Sequence, residues 1–261
     1  PDVLKDLNIV RGQFILNLIK FLVNKIYNNS DYIFVQSESF KKKISKDTNN
    51  KIEVLFNPET KKIKKINSNI NSKNFIITYA GNIGKAQSFE TLVQAVKKID
   101  NPKIKIHIYG DGSEKNSLQK HITKFNLSDN IKLFRPMSKI KIDIVLSKSD
   151  AFLLILGKGD GLSSTLPAKI QTYISHGKPI IVSSDGESYN FVKKNKLGFV
   201  SKAGNSNGLY NSILKTQNLK KNNHKNIRNR SITVFKKNFE INKWTKLLEQ
   251  KLEKCVEDYK R

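Results

Sequence analysis

Apolar residues at Ile15, Leu18, Ile19, Leu22 and Ile26 recur at steps of three and four, with Phe14 and Phe21 widening the stripe, and predict an amphipathic helix over residues 11–27. The short apolar run at residues 32–35 predicts a strand. A basic helix follows over 38–46, then a second strand at 52–56 that stops at Asn57-Pro58. Two helix-then-strand units in a row are the way a parallel sheet is completed, and the remaining strands of that sheet are expected to lie outside this sequence. Residues 59–73, ETKKIKKINSNINSK, are polar, lysine-rich and without sustained period, as expected of a linker.

Beyond the linker the alternation becomes regular. Continuous apolar or β-branched runs at 75–80, 104–109, 131–134, 151–156 and 179–183 predict five or more strands. Between them, Phe89, Leu92, Val93, Val96 and Ile99 mark one helix, Leu118 and Ile122 a second, residues 140–146 a third, and a fourth opens at Pro167 and ends at Gly177. Strand, glycine turn and helix in repetition is the signature of a doubly wound parallel sheet. At the end of the chain, Ile241, Trp244, Leu248, Leu252, Cys255 and Tyr259 share one helical face, which predicts a helix docked on the domain.

Composition narrows the function classes. The net charge of +26 comes from 48 Lys and Arg against 22 Asp and Glu, a balance that favours anionic partners. Lysine supplies most of it, and the Arg forks and aromatic platforms typical of nucleic-acid binders are scarce, so no nucleic-acid partner is expected. A solvated basic surface and attraction to an anionic membrane surface both remain open. The single cysteine, Cys255, excludes an intrachain disulfide and a thiolate metal cluster. His107 and His176 have no accompanying ligand set, so no metal is expected. No apolar run reaches the roughly 18 to 20 residues needed to span a bilayer, and a cytoplasmic location is expected. The chain opens at Pro1 in what reads as the middle of a fold, as a fragment or split-gene product would.

In open parallel sheets ligands sit beyond the carboxyl ends of the strands, and three loops there have unusual composition. Gly81-Asn82-Ile83-Gly84-Lys85-Ala86-Gln87 combines two glycines, which let backbone approach a ligand, with a cation and a following helix N-terminus, and suits a diphosphate; a plain turn is the alternative. It lacks the residues of a P-loop or a dinucleotide fingerprint. Residues 157–166, GKGDGLSSTL, place Ser163, Ser164 and Thr165 before the Pro167 helix, where they either cap it or cradle phosphate. Lys169 in the first helical turn opposes the helix dipole, a local cost that an anionic ligand would offset. Gly110-Asp111-Gly112 is first of all a tight turn.

Taken together, YAGNIGKAQ at 79–87, YGDGSEK at 109–115, LPAKIQTYISHGKPII at 166–181, Asp185-Gly186-Glu187 and the opening Pro1-Asp2 resemble the latter two thirds of a retaining glycosyltransferase of the GT-B type. The branch in view builds O-antigen, capsule or colanic-acid-like glycans. The resemblance implies an α/β fold of two Rossmann-like doubly wound domains with the first truncated: 1–58 ends the acceptor-side domain, 59–73 links, 74–237 is the donor domain, and 238–261 is a helix returning to the first. It implies a nucleotide-sugar donor of UDP or GDP type, a lipid-linked or growing glycan acceptor, no cofactor, and peripheral placement on the inner leaflet with a separately encoded N-terminal half as partner. By similarity, Gly81, Asn82, Gly84, Lys85 and Gln87 would face the diphosphate, with Gly110 and Asp111 in the adjoining donor-side turn. Arg135 and Pro136 would lie beside the base, and Ser164, Thr165 and Lys169 would flank the phosphates. The family's two glutamates eight residues apart fall at Ser164 and Thr172, so neither carboxylate is present in that register. A neutral Thr172 hydroxyl makes a weaker bond to ribose than a carboxylate. Catalytic residues are expected in the missing N-terminal part. The rivals are a catalytically impaired remnant, a sugar-nucleotide epimerase and a basic nucleic-acid-binding module.

Overall fold

The computed structural model describes residues 2–7, 9, 12–60 and 73–259. Position 11, where the first long helix is predicted to begin, and residues 61–72 of the expected linker lie outside them.

The elements before the linker are α1 (Asp2–Asp6), α2 (Gln13–Asn28), β1 (Tyr32–Val35), α3 (Glu38–Ile44) and β2 (Lys51–Val54). β1 and β2 pair in parallel, Ile33 opposite Ile52 and Val35 opposite Val54. Ile33, Val35 and Ile52 form a small core with Tyr27, Phe40 and Ile44 packed against it. Ser37 starts α3 by accepting the Phe40 amide on its hydroxyl, which satisfies one of the donors a helix N-terminus leaves open.

The rest follows as β3 (Phe75–Ala80), α4 (Phe89–Val96), β4 (Ile104–Tyr109), α5 (Lys115–Lys124), β5 (Ile131–Phe134), α6 (Lys139–Lys148), β6 (Ala151–Ile155), α7 (Asp160–Ser163), α8 (Lys169–His176), β7 (Ile180–Ser183), α9 (Gly186–Lys194), β8 (Gly198–Ser201), α10 (Ser206–Gln217), α11 (Lys221–Asn238) and α12 (Ile241–Tyr259). Six strands form one parallel sheet in the order β5-β4-β3-β6-β7-β8. Both faces are buried, so successive residues of a strand enter different cores. On β6, Leu153 and Ile155 join the cluster under α4, α5 and α10, while Phe152 and Leu154 join the one under α8 and α11. Each such fully buried side chain contributes about 1.5–3 kcal/mol of transfer free energy.

Two boundaries differ from the sequence expectation. The helix expected to open at Pro167 starts at Lys169, and Pro167 supplies the carbonyl that takes the Ile170 amide. Gly177 closes it in the left-handed conformation, φ 64°. β8 is a further strand: GFVS at 198–201 is half-buried and too short to stand out by pattern, yet it completes the sheet edge beside β7.

Strand order reverses between β3 and β6, where Ile77 faces Ala151. The loops that leave these two strands are tied together by the Gly157 amide donating to the Ala86 carbonyl, 2.8 Å. α12 meets β2 and the segment after it: Trp244 donates its indole N–H to the Phe56 carbonyl at 2.7 Å, and Lys51 pairs with Asp258 at 2.5 Å.

Candidate functional site

The carboxyl ends of β3 and β4 are held closer than side chains would allow. The Gly81 amide donates to the Tyr109 carbonyl, the Ile83 amide to Asp111 and the Glu114 amide to Ile83, which interlocks the two glycine loops. A Cβ on Gly110 would collide with the Gly81 carbonyl oxygen, and one on Gly112, φ 148°, with the Ile83 carbonyl. These glycines permit the interlock, so the Gly110-Asp111-Gly112 turn holds its neighbour in shape.

This interlock leaves a cavity of about 410 Å³ lined by Gly81, Asn82, Gly110, Asp111, Pro136 and Met137, among others. A second cavity of about 310 Å³ lies between the segment Asn57–Thr60 and the first turns of α8, lined by Glu59, Lys139, Lys169 and Thr172. Lys169 stands between the two. Its ammonium lies 3.8 Å from the centre of the Tyr79 ring and is the nearest atom to a Cβ built on Gly81. No hydrogen-bond acceptor or carboxylate among the described residues is paired with it. Burial therefore pushes its pKa down to about 7 from 10.5. Beneath it, the Tyr79 hydroxyl donates to the Asn82 carbonyl at 2.6 Å and the Tyr173 hydroxyl accepts the Ala80 amide at 3.1 Å. Burial raises both phenols well above their usual range, so each remains a neutral brace for the loop.

The other candidate residues separate into groups. Gly81, Asn82, Gly110, Asp111 and Pro136 share the first cavity, and Lys169 and Thr172 the second. Gly84 is buried, and its amide is taken by the Gln87 carboxamide oxygen at 2.9 Å. Gln87 thus folds back to hold the loop. Lys85 and Arg135 are exposed and line neither cavity. Ser164 and Thr165 differ from the sequence expectations, since they give α8 no side-chain cap and line neither of these two cavities. Their hydroxyls donate back to the Asp160 and Gly161 carbonyls of α7 at 2.9 Å each, one turn earlier, the local back-bonding open to short hydroxyl side chains in a helix. Ser163 does the same, to Asp160.

Sequence reasoning missed Glu59. It falls in the expected linker, yet it is only 7% exposed. Its amide donates to the Phe239 carbonyl at 2.9 Å, and its carboxylate accepts the Thr172 hydroxyl at 2.7 Å. The Pro58-Glu59 step after β2 was the only local sign. Among the described residues no three His, Cys, Asp or Glu side chains are grouped to hold a metal ion, and no helix is long and apolar enough to cross a membrane.

The family model for glycosyl transferases group 1 matches residues 60–232. The chain belongs to this family. A curated relative is WcaI of Escherichia coli (strain K12), named for colanic acid biosynthesis glycosyl transfer, 26% identical over 110 residues that cover 42% of this chain and 26% of WcaI. Among solved structures, Anabaena HepE in complex with UDP-glucose superposes with a TM-score of 0.75 at 15% identity, covering 89% of this chain and 66% of HepE. A Staphylococcus aureus TarM mutant in complex with UDP, fondaparinux and alpha-GlcNAc-glycerol gives 0.70 at 18%, covering 86% of this chain and 44% of TarM. The pneumococcal O-GlcNAc transferase GtfA, solved with UDP and GlcNAc, gives 0.69 at 15%, covering 87% and 45%. The fold of this group 1 family member is that of the GT-B glycosyltransferases, and the chain spans less than half of the TarM and GtfA chains.

Proposed function

We propose that residues 74–237 form the donor-binding part of a glycosyltransferase, taking the nucleoside diphosphate of a UDP- or GDP-sugar across the carboxyl ends of β3 and β4. One observation carries this reading: a half-buried ammonium, Lys169, faces a glycine loop with no acceptor among the described residues paired to it. A buried cation left unpaired is costly, and an anion that bridges it to the Gly81 loop would offset that cost. The helix dipole of α8 adds to the attraction, since Lys169 opens that helix. UDP in the structures of TarM, HepE and GtfA supports the same ligand class.

In this reading the cation stabilises the departing diphosphate electrostatically as the sugar leaves it, and no metal or other cofactor is required. The cavity lined by Gly110 and Pro136 takes the base, with the exposed Arg135 next to Pro136 in the chain. Transfer proceeds with retention to a lipid-linked or growing glycan acceptor in surface-polysaccharide synthesis. The acceptor pocket and the group nearest the reacting carbon belong to parts of the enzyme outside residues 74–237. Cytoplasmic placement against the anionic inner leaflet, through α2, would bring the enzyme to such an acceptor.

The test is calorimetric titration of UDP and GDP into the chain and its Lys169→Met variant. Micromolar binding by the unsubstituted chain, weakened at least tenfold in the variant, supports the assignment; equal binding refutes it. A donor screen on the full-length enzyme, read by release of nucleoside diphosphate, then identifies the sugar.

A further inference from the structure

Where the elements α1 to β2 meet those of the large sheet, each side supplies a carboxylate that caps a helix of the other. α7 starts at Gly159, which has no side chain to cap it. Its first-turn amides, those of Gly161 and Leu162, donate instead to Asp6 Oδ2 of α1 at 2.7 and 3.3 Å. In the opposite direction, Ser37 caps α3 by accepting the Phe40 amide at 3.1 Å, and the Ser39 amide is taken from outside. Glu187, in the first turn of α9 and only 9% exposed, accepts that amide at 3.2 Å and the Ser39 hydroxyl at 2.6 Å. The Ser37 hydroxyl donates in turn to the Ser164 carbonyl at 2.8 Å, just past the end of α7. A carboxylate at the first turn of a helix is favoured by the open amides and by the helix dipole, so both exchanges are attractive.

The two exchanges are tied to each other on both sides. In the large-sheet part the starts of α7 and α9 are pressed together: a Cβ on Gly186, φ 64°, would collide with the Ser163 carbonyl, and the Ser188 hydroxyl donates to the Thr165 carbonyl at 2.9 Å. In the other part, Asp2 of α1 pairs with Lys43 in the last turn of α3. The approach of α1 to α7 needs glycine twice, since a Cβ on Gly159 would strike the Asp6 carboxylate and one on Gly161 would stand 2.6 Å from the Val3 nitrogen. Elsewhere the junction is apolar. Phe56, where the chain leaves β2, packs edge-on against Phe191 and Phe239, with ring centres 5.8 and 5.6 Å away.

We infer that Asp6 and Glu187 form a reciprocal latch between the two parts of the chain, whose two caps are made and broken together while the Phe56 contact serves as the pivot. The physical reason is the difference in what separation exposes. Hydrogen bonds at the latch are replaced by water when the parts move apart, at a small net cost each, whereas parting the phenylalanines would expose apolar surface. Parts joined this way move relative to each other by default. The loops that the latch grips leave the carboxyl ends of β6 and β7, the same end of the sheet as the cavity beside Gly81. In the glycosyltransferase reading above, the latch therefore sets the gap between the acceptor-side residues and the donor cavity.

The experiment is hydrogen exchange of the full chain, resolved by residue with NMR, for the unsubstituted protein and for Asp6→Ala, Glu187→Ala and Gly161→Ala. Asp6→Ala should speed exchange at Gly161 and Leu162 by about 5- to 30-fold, as expected for loss of a helix cap. It should also speed exchange at Ser39, which Asp6 does not touch, by a similar factor. Glu187→Ala should do the converse. Gly161→Ala keeps both carboxylates but presses on the Val3 backbone, so it should release Ser39 as well, and it carries the test should either alanine variant of a carboxylate fail to fold. The Ile106 amide, held by the Asn130 carbonyl within the large sheet, should exchange at an unchanged rate throughout. Faster exchange confined to the helix whose own cap was removed would overturn the latch and leave two separate caps. A rise at Ile106 as large as that at Ser39 would overturn it too, by showing that the whole chain had loosened. No nucleotide enters the measurement, so a chain that failed to bind UDP would count against the donor reading alone.

Discussion

The two sheets make contrasting use of the same kind of pattern. α4 and α2 are both amphipathic with apolar residues at helical spacing, but six residues of α4 are buried under the six-stranded sheet and none of α2 is. Phe14 is 80% exposed and Phe21 64%. The difference lies in the surroundings. A six-stranded parallel sheet offers two broad faces and demands a helix on each. The pair β1 and β2 offers a narrow strip, which Tyr27, Phe40 and Ile44 already cover, and two strands alone make a marginal sheet. Periodicity tells which face of a helix is apolar, and the width of the sheet tells how much of that face is covered within these residues.

The sharpest way to break this comparison is through stability. Ile106 is fully buried on β4 of the large sheet, and Ile106→Ala should cost about 2–5 kcal/mol in denaturant unfolding. Phe21→Ala, on the exposed face of α2, should change stability by no more than about 0.5 kcal/mol. Equal losses would mean that α2 is packed as firmly as β4. A second test stays within the large sheet. Gly110→Ala would press a Cβ onto the Gly81 carbonyl, so it should destabilise by about 1–3 kcal/mol and remove UDP binding with it. Gly84→Val is also expected to weaken UDP binding, but less, because its Cβ would first meet the mobile end of Asn82 at 2.6 Å.

The pH dependence of nucleotide binding follows next in size. With the free Lys169 at about 7, the unliganded site loses its charge as pH rises through 7, while a bound diphosphate favours the ammonium. Affinity should therefore fall above pH 7, approaching tenfold per pH unit, and each binding event should take up a proton, visible as a dependence of the calorimetric heat on the buffer. The phosphates are already ionised there, so the trend reports on the lysine. Lys169→Arg should remove the slope. A profile that is flat in the unsubstituted chain between pH 7 and 9 would place the diphosphate elsewhere. For stability the sign is the opposite one: the cost of burying the ammonium is fully present below about pH 7 and is relieved as pH rises toward 10.5.

The smallest effect expected concerns α2. Lys20 and Lys25 flank its exposed Phe14 and Phe21, and basic residues near an anionic surface contribute about 1 kcal/mol each. Co-sedimentation of the full-length protein with vesicles should thus require anionic lipid and weaken as salt is raised, and Lys20→Glu/Lys25→Glu should lower it by roughly one to two orders of magnitude. Binding that ignores salt and lipid charge, or no binding, would assign the apolar face of α2 to protein contacts alone.

The order of elements was legible in the sequence because periodicity is local. Runs of β-branched residues closed by glycine, followed by helical spacing, placed β3 to β7 and the helices α4, α6 and α8 to within a few residues, as they placed α12. The glycine loops at 81–84 and 110–112 were found for the same reason, since a chain that turns sharply after a strand needs residues without a Cβ. Lys169 was also visible, as a cation at a helix start where the dipole disfavours one.

What only the tertiary structure decided is which distant residues meet. Ser164 and Thr165 read in the chain as helix caps or phosphate ligands, but their hydroxyls donate to the Asp160 and Gly161 carbonyls of α7, one turn away. Gln87 read as a donor contact and closed its own loop. Glu59 and Thr172 are 113 residues apart, and neither has a neighbour in sequence that announces the other. Their meeting depends on the path by which the chain leaves β2, the placement of α8 against the sheet, and the return of Phe239 and Glu240 to fix the Glu59 backbone. A pattern of apolar positions carries the first kind of information, because burial acts residue by residue. The second kind arises when strand order brings loops to one end of a sheet, and there a buried polar group takes whichever partner the assembled fold puts within reach.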